Sequence, residues 1–471
     1  MFPALNHDAP TPLVAQIVAG FQQQIDELTL KPGGKLPSIR QFAAAQGVSV
    51  FTVVEAYDRL VALGLVHSRP NAGFFVRARA TAPASADPAD RVAELQFDAK
   101  WYLRQIFESR NLDIRAGCGW LPQDWLFEEG VRRAFRQMAQ EGAELGGYGS
   151  PYGHAELRAL LVELLAERQI KLSADQLLLT QGSSQALDLL ARYWVQPGDV
   201  VLVDSPGYPN ILYILRFLGA TVLPVPRTPE GYDLKALEAL LAVHQPKVFF
   251  TQPRLQSPTN SSAPLHQLLH LLQLAYRHQF AIVENDIYAD LDPEWHPSLA
   301  SLDQLQRVAY LGSFSKTISP NLRVGYVAAA PALLEELALR KMVSGLTSSD
   351  LNERLVLRAL TEGRWRKHLT RLRSRLAEAQ RTVADQLHSL GFELHSQIEA
   401  GMYLWARHPD LPDAALLSQR AALQGIMLGP GHLFSPEPRQ TGWLRFNVAF
   451  SDEARLREFL LEEIAAANRA G

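Results

Sequence analysis

The chain has 471 residues, 47% of them hydrophobic, and a formal net charge of −3. That length predicts two to four domains with sizeable cores, and the near-neutral charge excludes a general pull toward nucleic acid or membrane, so any DNA-reading face must be local. A single cysteine, Cys118, excludes an intramolecular disulfide framework and a cysteine-rich metal site.

The opening "MFPALNHDAP" lacks the basic and apolar regions of a signal peptide, and no apolar run approaches membrane-spanning length. These features predict a soluble cytoplasmic protein without a membrane partner. Three regions follow. Residues 10–77 read as a compact helical module ending in a short β pattern. Residues 78–112 read as a linker, because "ARATAPASADPAD" (78–90) has no periodicity and "RVAELQFDAKWYLRQIFES" (91–109) has a helical one. Residues 113–471 read as a long α/β region, with a large part to about 345 and a smaller part from about 346.

In the first region, residues 1–80 hold seven Lys/Arg and five Asp/Glu, a difference of +2. Ser38 followed by Gln41 is a capping box that should start a helix. Ile39, Phe42 and Ala43 give that helix an apolar face, and Gly47 supplies the turn. Ser49 is the N-cap of a second helix, whose buried stripe is Val53, Ala56, Tyr57 and Leu60. Two short helices about a glycine turn make a helix-turn-helix. Ser49, Val50 and Thr52 face out at the start of its second helix, where such motifs meet base edges. "LVHSRPNAGFFV" reads as a hairpin, a wing. Spacing alone leaves a DNA reader and a docking module side by side.

In the third region, short apolar runs alternate with helical patterns: "QLLLT" (176–180), "VVLVD" (200–204), "KVFFT" (247–251), "FAIVEND" (280–286), "VAYLG" (308–312) and "RVGYVAAA" (323–330). Such runs between helices predict a mostly parallel sheet covered on both faces. After residue 350 the pattern changes to a long basic helix, "RWRKHLTRLRSRLAE" (364–378). Its Leu369, Leu372 and Leu376 form a buried stripe opposite a solvated face. "FELHS", "GMYLWAR", "WLRFNVAF" and a terminal helix complete a smaller α+β domain.

"GSFSKTISPNLRVGY" (312–326) places two cations, Lys316 and Arg323, between apolar runs, which predicts that both are buried. A buried lysine is paired or reactive. If Lys316 forms a Schiff base with an aldehyde cofactor, that cofactor also needs a phosphate cup, a group that sets its ring electronics and a flat partner. Gly182-Ser183-Ser184 at a strand-to-helix turn offers the cup, with Ser313 and Arg323 completing it. Asp286, just past a strand, offers a carboxylate for a ring nitrogen, and Tyr288 a hydroxyl for a ring oxygen. Tyr208 offers a stacking ring. Ser313 to Lys316 also spells the S-x-x-K of penicillin-recognising serine enzymes, but the S-D-N and K-T-G that should follow are missing.

The first module strongly resembles the winged helix-turn-helix of GntR-type regulators, through "KLPSIRQFAAAQGVSVFTVVEAYDRLVALGLV" and "AGFFV". That resemblance implies DNA contacts by Ser38, Arg40, Ser49 and Thr52, with the wing near Gly73. Val50 stands where the family often has arginine, the commonest reader of guanine. Residues 113–471 resemble fold-type I pyridoxal-phosphate enzymes of the aminotransferase superfamily. "YGSPYGHAELRALL", "GSSQALDLL", "SPGYPN", "ENDIYADL", "GSFSKTISPNLRVGY" and "WLRFNVAF" occur in family order. The resemblance implies pyridoxal 5'-phosphate on Lys316, with Asp286 on the pyridine nitrogen, Tyr288 on the ring hydroxyl and Tyr208 stacked on the ring. It implies a phosphate held by Ser183, Ser184, Ser313 and Arg323, a substrate carboxylate on Arg445, and no metal. Ser257 and Asn260 of "QSPTN" replace a usual Asn and Gly, which weakens the case for efficient transamination.

The combination resembles the MocR subfamily. It implies a head-to-tail homodimeric regulator that binds promoter DNA and senses a small amine or amino acid, or pyridoxal phosphate itself. An active aminotransferase with an accessory N-terminal module is the alternative.

Overall fold

A computed structural model describes the chain except residues 1, 3–4, 7–8, 10, 28, 70–71, 78–111, 142–145, 295, 397–399, 438 and 471. Almost all of the expected linker, including residues 91–109 for which a helix was expected, lies outside the described residues. The chain divides into two compact units, Met1–Glu94 and Leu95–Gly471.

In the first unit, α1 (Leu13–Asp26), α2 (Ile39–Gln46) and α3 (Val50–Ala62) precede an antiparallel hairpin of β1 (Val66–Arg69) and β2 (Gly73–Val76). The caps form as the residues dictate. Ser38 and Gln41 make the capping box, Gly47 closes α2 in the left-handed region at φ 66°, and the Ser49 side chain accepts from Thr52 N. Ile17, Phe21, Phe42, Val53, Tyr57 and Leu60 fill the core, and Tyr57 donates its hydroxyl to Pro37 O at 3.0 Å.

The second unit is built on an eight-stranded sheet, ordered β3-β10-β9-β8-β7-β4-β5-β6. Its strands are β3 (Leu177–Thr180), β4 (Val200–Ser205), β5 (Thr221–Thr228), β6 (Gly231–Tyr232), β7 (Val248–Thr251), β8 (Ala281–Asn285), β9 (Val308–Ser313) and β10 (Gly325–Ala328). The run β5-β4-β7-β8-β9 is parallel, while β10 is antiparallel to both neighbours and β6 to β5. The mostly parallel sheet is therefore present. Sequence patterning did not reveal β5, because Pro224 and Pro226 interrupt it; both are tolerated near the sheet's edge.

Helices cover both faces, and strand alternation decides which residues meet them. In chain order they are α4 (Glu128–Gln140), α5 (Ala155–Glu167), α6 (Gly182–Trp194), α7 (Pro209–Phe217), α8 (Leu234–Val243), α9 (Leu265–His278), α10 (Leu299–Asp303), α11 (Pro331–Gly345) and α12 (Asp350–Thr361). Val203, Phe250, Val283 and Leu311 pack with α6, α7 and α11. Leu202, Phe249, Ile282 and Tyr310 face the opposite way, packing with α5, α8, α9, α10 and α12.

A second sheet, ordered β11-β12-β14-β13, joins β11 (Glu393–Leu394), β12 (Tyr403–Arg407), β13 (Gly429–Pro430) and β14 (Leu444–Asn447), all antiparallel. It packs on α13 (Trp365–Ser389), α14 (Ala414–Leu423) and α15 (Ala454–Ala470). The basic helix is α13, and Leu369, Leu372 and Leu376 are buried as its spacing predicts.

Candidate cofactor site and DNA-reading helix

The expected phosphate cup lies where β3 turns into α6. No side chain caps the start of α6, so its first N–H groups and the helix dipole point outward. Gly182 holds φ +73°, and a Cβ there would stand 2.6 Å from Arg323 Nη2. A Cβ on Gly325 would stand 2.8 Å from Ser183 N, so β10 passes behind this turn only as glycine. Arg323, itself in the left-handed region at φ +52°, donates Nη2 to Gln181 O at 3.2 Å. Ser313 is buried, and its Oγ donates to Ser315 Oγ at 3.1 Å. The expectation that both cations are buried is corrected for Arg323, which is exposed because it lies outside β10 at the rim of the cup; Lys316 is half-buried along its side chain, with its amine enclosed.

Lys316 Nζ donates to Gly119 O and lies 6.0 Å from the centre of the Tyr288 ring. Burial, then repulsion from Arg445 and Arg323, pushes its pKa down to about 8. The amine is therefore partly neutral and nucleophilic near physiological pH. Tyr288 is buried, with its hydroxyl 3.1 Å from that of Tyr403, and burial holds the phenol protonated. Tyr208 precedes α7. It accepts from Asn210 Nδ2 at 2.9 Å, and its hydroxyl interacts with Ser184. Arg445 on β14 is buried between the Tyr403 and Phe434 rings, at 4.6 and 4.7 Å. It donates Nη1 to Ser257 Oγ at 3.1 Å and Nη2 to Gly117 O at 2.7 Å. Asn260 holds φ +59°, and its Nδ2 donates to Ala400 O at 2.7 Å.

Asp286 departs from expectation. Glu284 pairs in register with Tyr310 and Asn285 with Leu311, so alternation returns Asp286 to the Tyr310 face. Its Oδ2 accepts from Tyr310 at 3.0 Å, and Arg254 Nε lies 3.2 Å from its Oδ1. Burial raises its pKa, and the Arg254 and Arg168 charges oppose that rise. The carboxylate is thus committed on the face away from Tyr208 and α6. The expected placement on a ring nitrogen is corrected for that reason. Lys316, Tyr208, Tyr288, Arg323 and Arg445 influence one another electrostatically and form one group. Sequence reasoning missed Tyr403, Arg254 and Asn285. For Asn285 the missed signal was period-two alternation from Val283.

In the first unit, Ser38 Oγ accepts from Gln41 N at 3.3 Å, and Ser49 Oγ from Thr52 N at 3.0 Å while lying 2.7 Å from Thr52 Oγ1. These hydroxyls hold the helix starts. Arg40 is exposed, and Gly73 opens β2 at φ +100°. At the start of α3, Val50 is 50% and Phe51 78% exposed. Phe51 went unremarked in the sequence because it adjoins a buried stripe. Among the described residues, no helix is long and apolar enough to cross a membrane.

These features define a fold-type I, aminotransferase-like protein that carries a winged helix-turn-helix. Residues 123–462 match the family "Aminotransferase class I and II", and residues 13–76 match "Bacterial regulatory proteins, gntR family". The chain belongs to the class I and II aminotransferase family, joined to a GntR-type region as in MocR-like regulators. It is 29% identical to the "Uncharacterized HTH-type transcriptional regulator YdcR" of Escherichia coli, over 92% of this chain and 94% of that one. It is also 29% identical to the "Probable rhizopine catabolism regulatory protein MocR" of Rhizobium meliloti, over 96% and 93%. Among solved structures it resembles LysN, the alpha-aminoadipate aminotransferase of Thermus thermophilus, complexed with N-(5'-phosphopyridoxyl)-L-leucine. The TM-score is 0.69 and the identity 29%, over 78% of this chain and 93% of that one.

Proposed function

We propose that the chain is a pyridoxal-phosphate-dependent transcription regulator. It binds promoter DNA in the cytoplasm through α2, α3 and the wing, and senses a small amine or amino acid, or the cofactor itself, through the aminotransferase-like site. The observation that carries this reading is the union, in one chain, of a fully capped helix-turn-helix with an exposed α3 start and a cup-and-lysine site.

The residues fit the cofactor. The uncapped start of α6, with Ser183, Ser184, Ser313 and Arg323, suits a phosphate dianion. Lys316 suits the aldehyde, Tyr208 the ring face and Tyr288 the ring hydroxyl. Bound there, pyridoxal phosphate supplies an aldehyde that condenses with amines and a ring that draws electrons from them. Lys316, with its depressed pKa, can release or accept a proton near neutrality. Arg445 gives up Ser257 and Gly117 to fork onto a ligand carboxylate, and Tyr403 and Phe434 hold its plane. Ligand binding alters DNA binding only through different affinity for two arrangements of a head-to-tail homodimer. The proposed domains are 10–77, the linker 78–112, and 113–471 with its parts meeting near 345.

The second reading is an active aminotransferase, favoured by the likeness to LysN and by the grouping of Lys316 with Arg445. Footprinting on the chain's own upstream DNA, alongside keto-acid assays with an amino-acid panel, separates the two. A regulator gives a ligand-sensitive footprint and little keto acid. An enzyme gives steady keto acid and no selective footprint.

A further inference from the structure

Asn285 ends β8, is 4% exposed, and its Oδ1 has no hydrogen-bond partner. A buried polar atom without a partner is uncommon and asks for a ligand. The register puts Asn285 beside Leu311, on the face of Val283 and Phe250. There it lines a small cavity with the apolar Leu187, Val203, Ile211 and Phe250, the Tyr208 ring, and the polar Asp204, Thr251 and Gln252. Tyr208, the residue that suits the ring face, thus shares a cavity with the orphan amide.

Resting on the cofactor reading above, we infer that Asn285 is the residue that meets the pyridine nitrogen, and that it holds this nitrogen unprotonated. An amide presents N–H or C=O at one place by half a rotation. Its N–H donates to a neutral pyridine nitrogen. It carries no negative charge, so it gives a pyridinium no counter-charge, and an unpaired buried cation is costly.

The nearby acids do not supply the missing charge. Asp204, also lining the cavity, accepts from Thr251 Oγ1 at 2.9 Å and Gln252 N at 2.8 Å, with Arg227 Nη1 at 3.8 Å. Glu284 lies on the opposite face, where it accepts from Leu299 N and Ala300 N, and burial pushes its pKa up to about 8. Asp286 is held there by Tyr310 and Arg254. The Tyr208 phenol stays protonated through burial. An unprotonated ring draws electrons weakly, so a bound amino acid persists instead of being turned over. A neutral amide at this place silences chemistry and leaves amine capture intact, which is what a detector requires.

The test uses full-length protein with pyridoxal 5'-phosphate labelled with nitrogen-15 in the ring, read by NMR from pH 6 to 9. Wild type should show a neutral pyridine nitrogen throughout. Asn285→Asp should move the signal to the protonated position and raise keto-acid release from an amino acid about tenfold or more. Asp286→Asn should leave the ring signal unchanged while lowering thermal stability, because the buried Arg254 loses one of its two carboxylate partners and keeps only Asp292. A protonated ring in wild type, or a ring signal that follows Asp286 rather than Asn285, overturns the inference. The wild-type spectrum decides even if a variant does not fold. If wild type captures no pyridoxal phosphate at all, the cofactor reading itself falls; capture with a protonated ring sinks only the role of Asn285.

Discussion

Lys316 carries the chemistry proposed for the site, and its protonation can be predicted. Burial and the Arg445 and Arg323 charges set its pKa at about 8, from an ordinary 10.5. At pH 8 about half of the amine is neutral, against about 0.3% for an unperturbed lysine, a difference of about 150-fold in nucleophile. Arg445→Leu removes the larger of the two repelling charges, although burial remains the leading cause, so the midpoint should rise but stay below 10.5. Reductive methylation of the cofactor-free protein with carbon-13 formaldehyde, followed by NMR titration, reads the midpoint directly. Lys316→Met identifies the signal. A midpoint near 10.5, or one unmoved by Arg445→Leu, would show that burial and Arg445 do not set the protonation of Lys316.

The phosphate cup makes a second prediction. Arg323→Ala should weaken pyridoxal phosphate binding about tenfold to a hundredfold, the worth of a charged hydrogen bond, yet barely change pyridoxal binding; fluorescence titration measures both. Ser38→Ala removes one cap, worth about 1 kcal/mol, so amides of Ile39–Gln46 should exchange about fivefold faster in the full chain by mass spectrometry. Phe51→Ala should lower promoter affinity without lowering stability, because its ring is 78% exposed; fluorescence anisotropy and thermal melts read the two effects. Lys341 is fully buried, donating to Pro151 O and Leu179 O at 2.8 Å each, and burial pushes its pKa down to about 8. The folded state then binds fewer protons than the unfolded state between about pH 8 and 10.5, so stability rises with pH across that window. Lys341→Met should remove the share of that rise that Lys341 supplies and leave the share that Lys316 supplies, as urea melts at several pH values will show.

Local rules were enough for the first unit. Ser38, Gln41, Gly47 and Ser49 act within three or four residues of chain, and each cap formed where its residue type required. The strands of the large sheet were legible because β7, β8 and β9 are buried on both faces and read as apolar runs. The same double burial hid which face each polar residue takes at the strand end. In "FAIVEND" the carboxylate of Asp286 looked like the chemical choice, yet period two carries Asn285 to the side of Tyr208 and returns Asp286 to Tyr310 and Arg254. Arg254 and Tyr403 come from distant segments, and only the folded chain brings them to Asp286 and Arg445. The exposure of Arg323 was illegible for a related reason, since its neighbours Leu322 and Val324 are buried.

The proposed regulator couples a cofactor site to DNA reading within one chain. Footprinting of the full-length protein on its own upstream DNA, with and without pyridoxal phosphate and with Lys316→Met in parallel, reads that coupling. Wild type should give a selective footprint whose extent or affinity changes with the cofactor, and Lys316→Met one that does not. A footprint indifferent to cofactor and to Lys316, or no selective footprint at all, would contradict it.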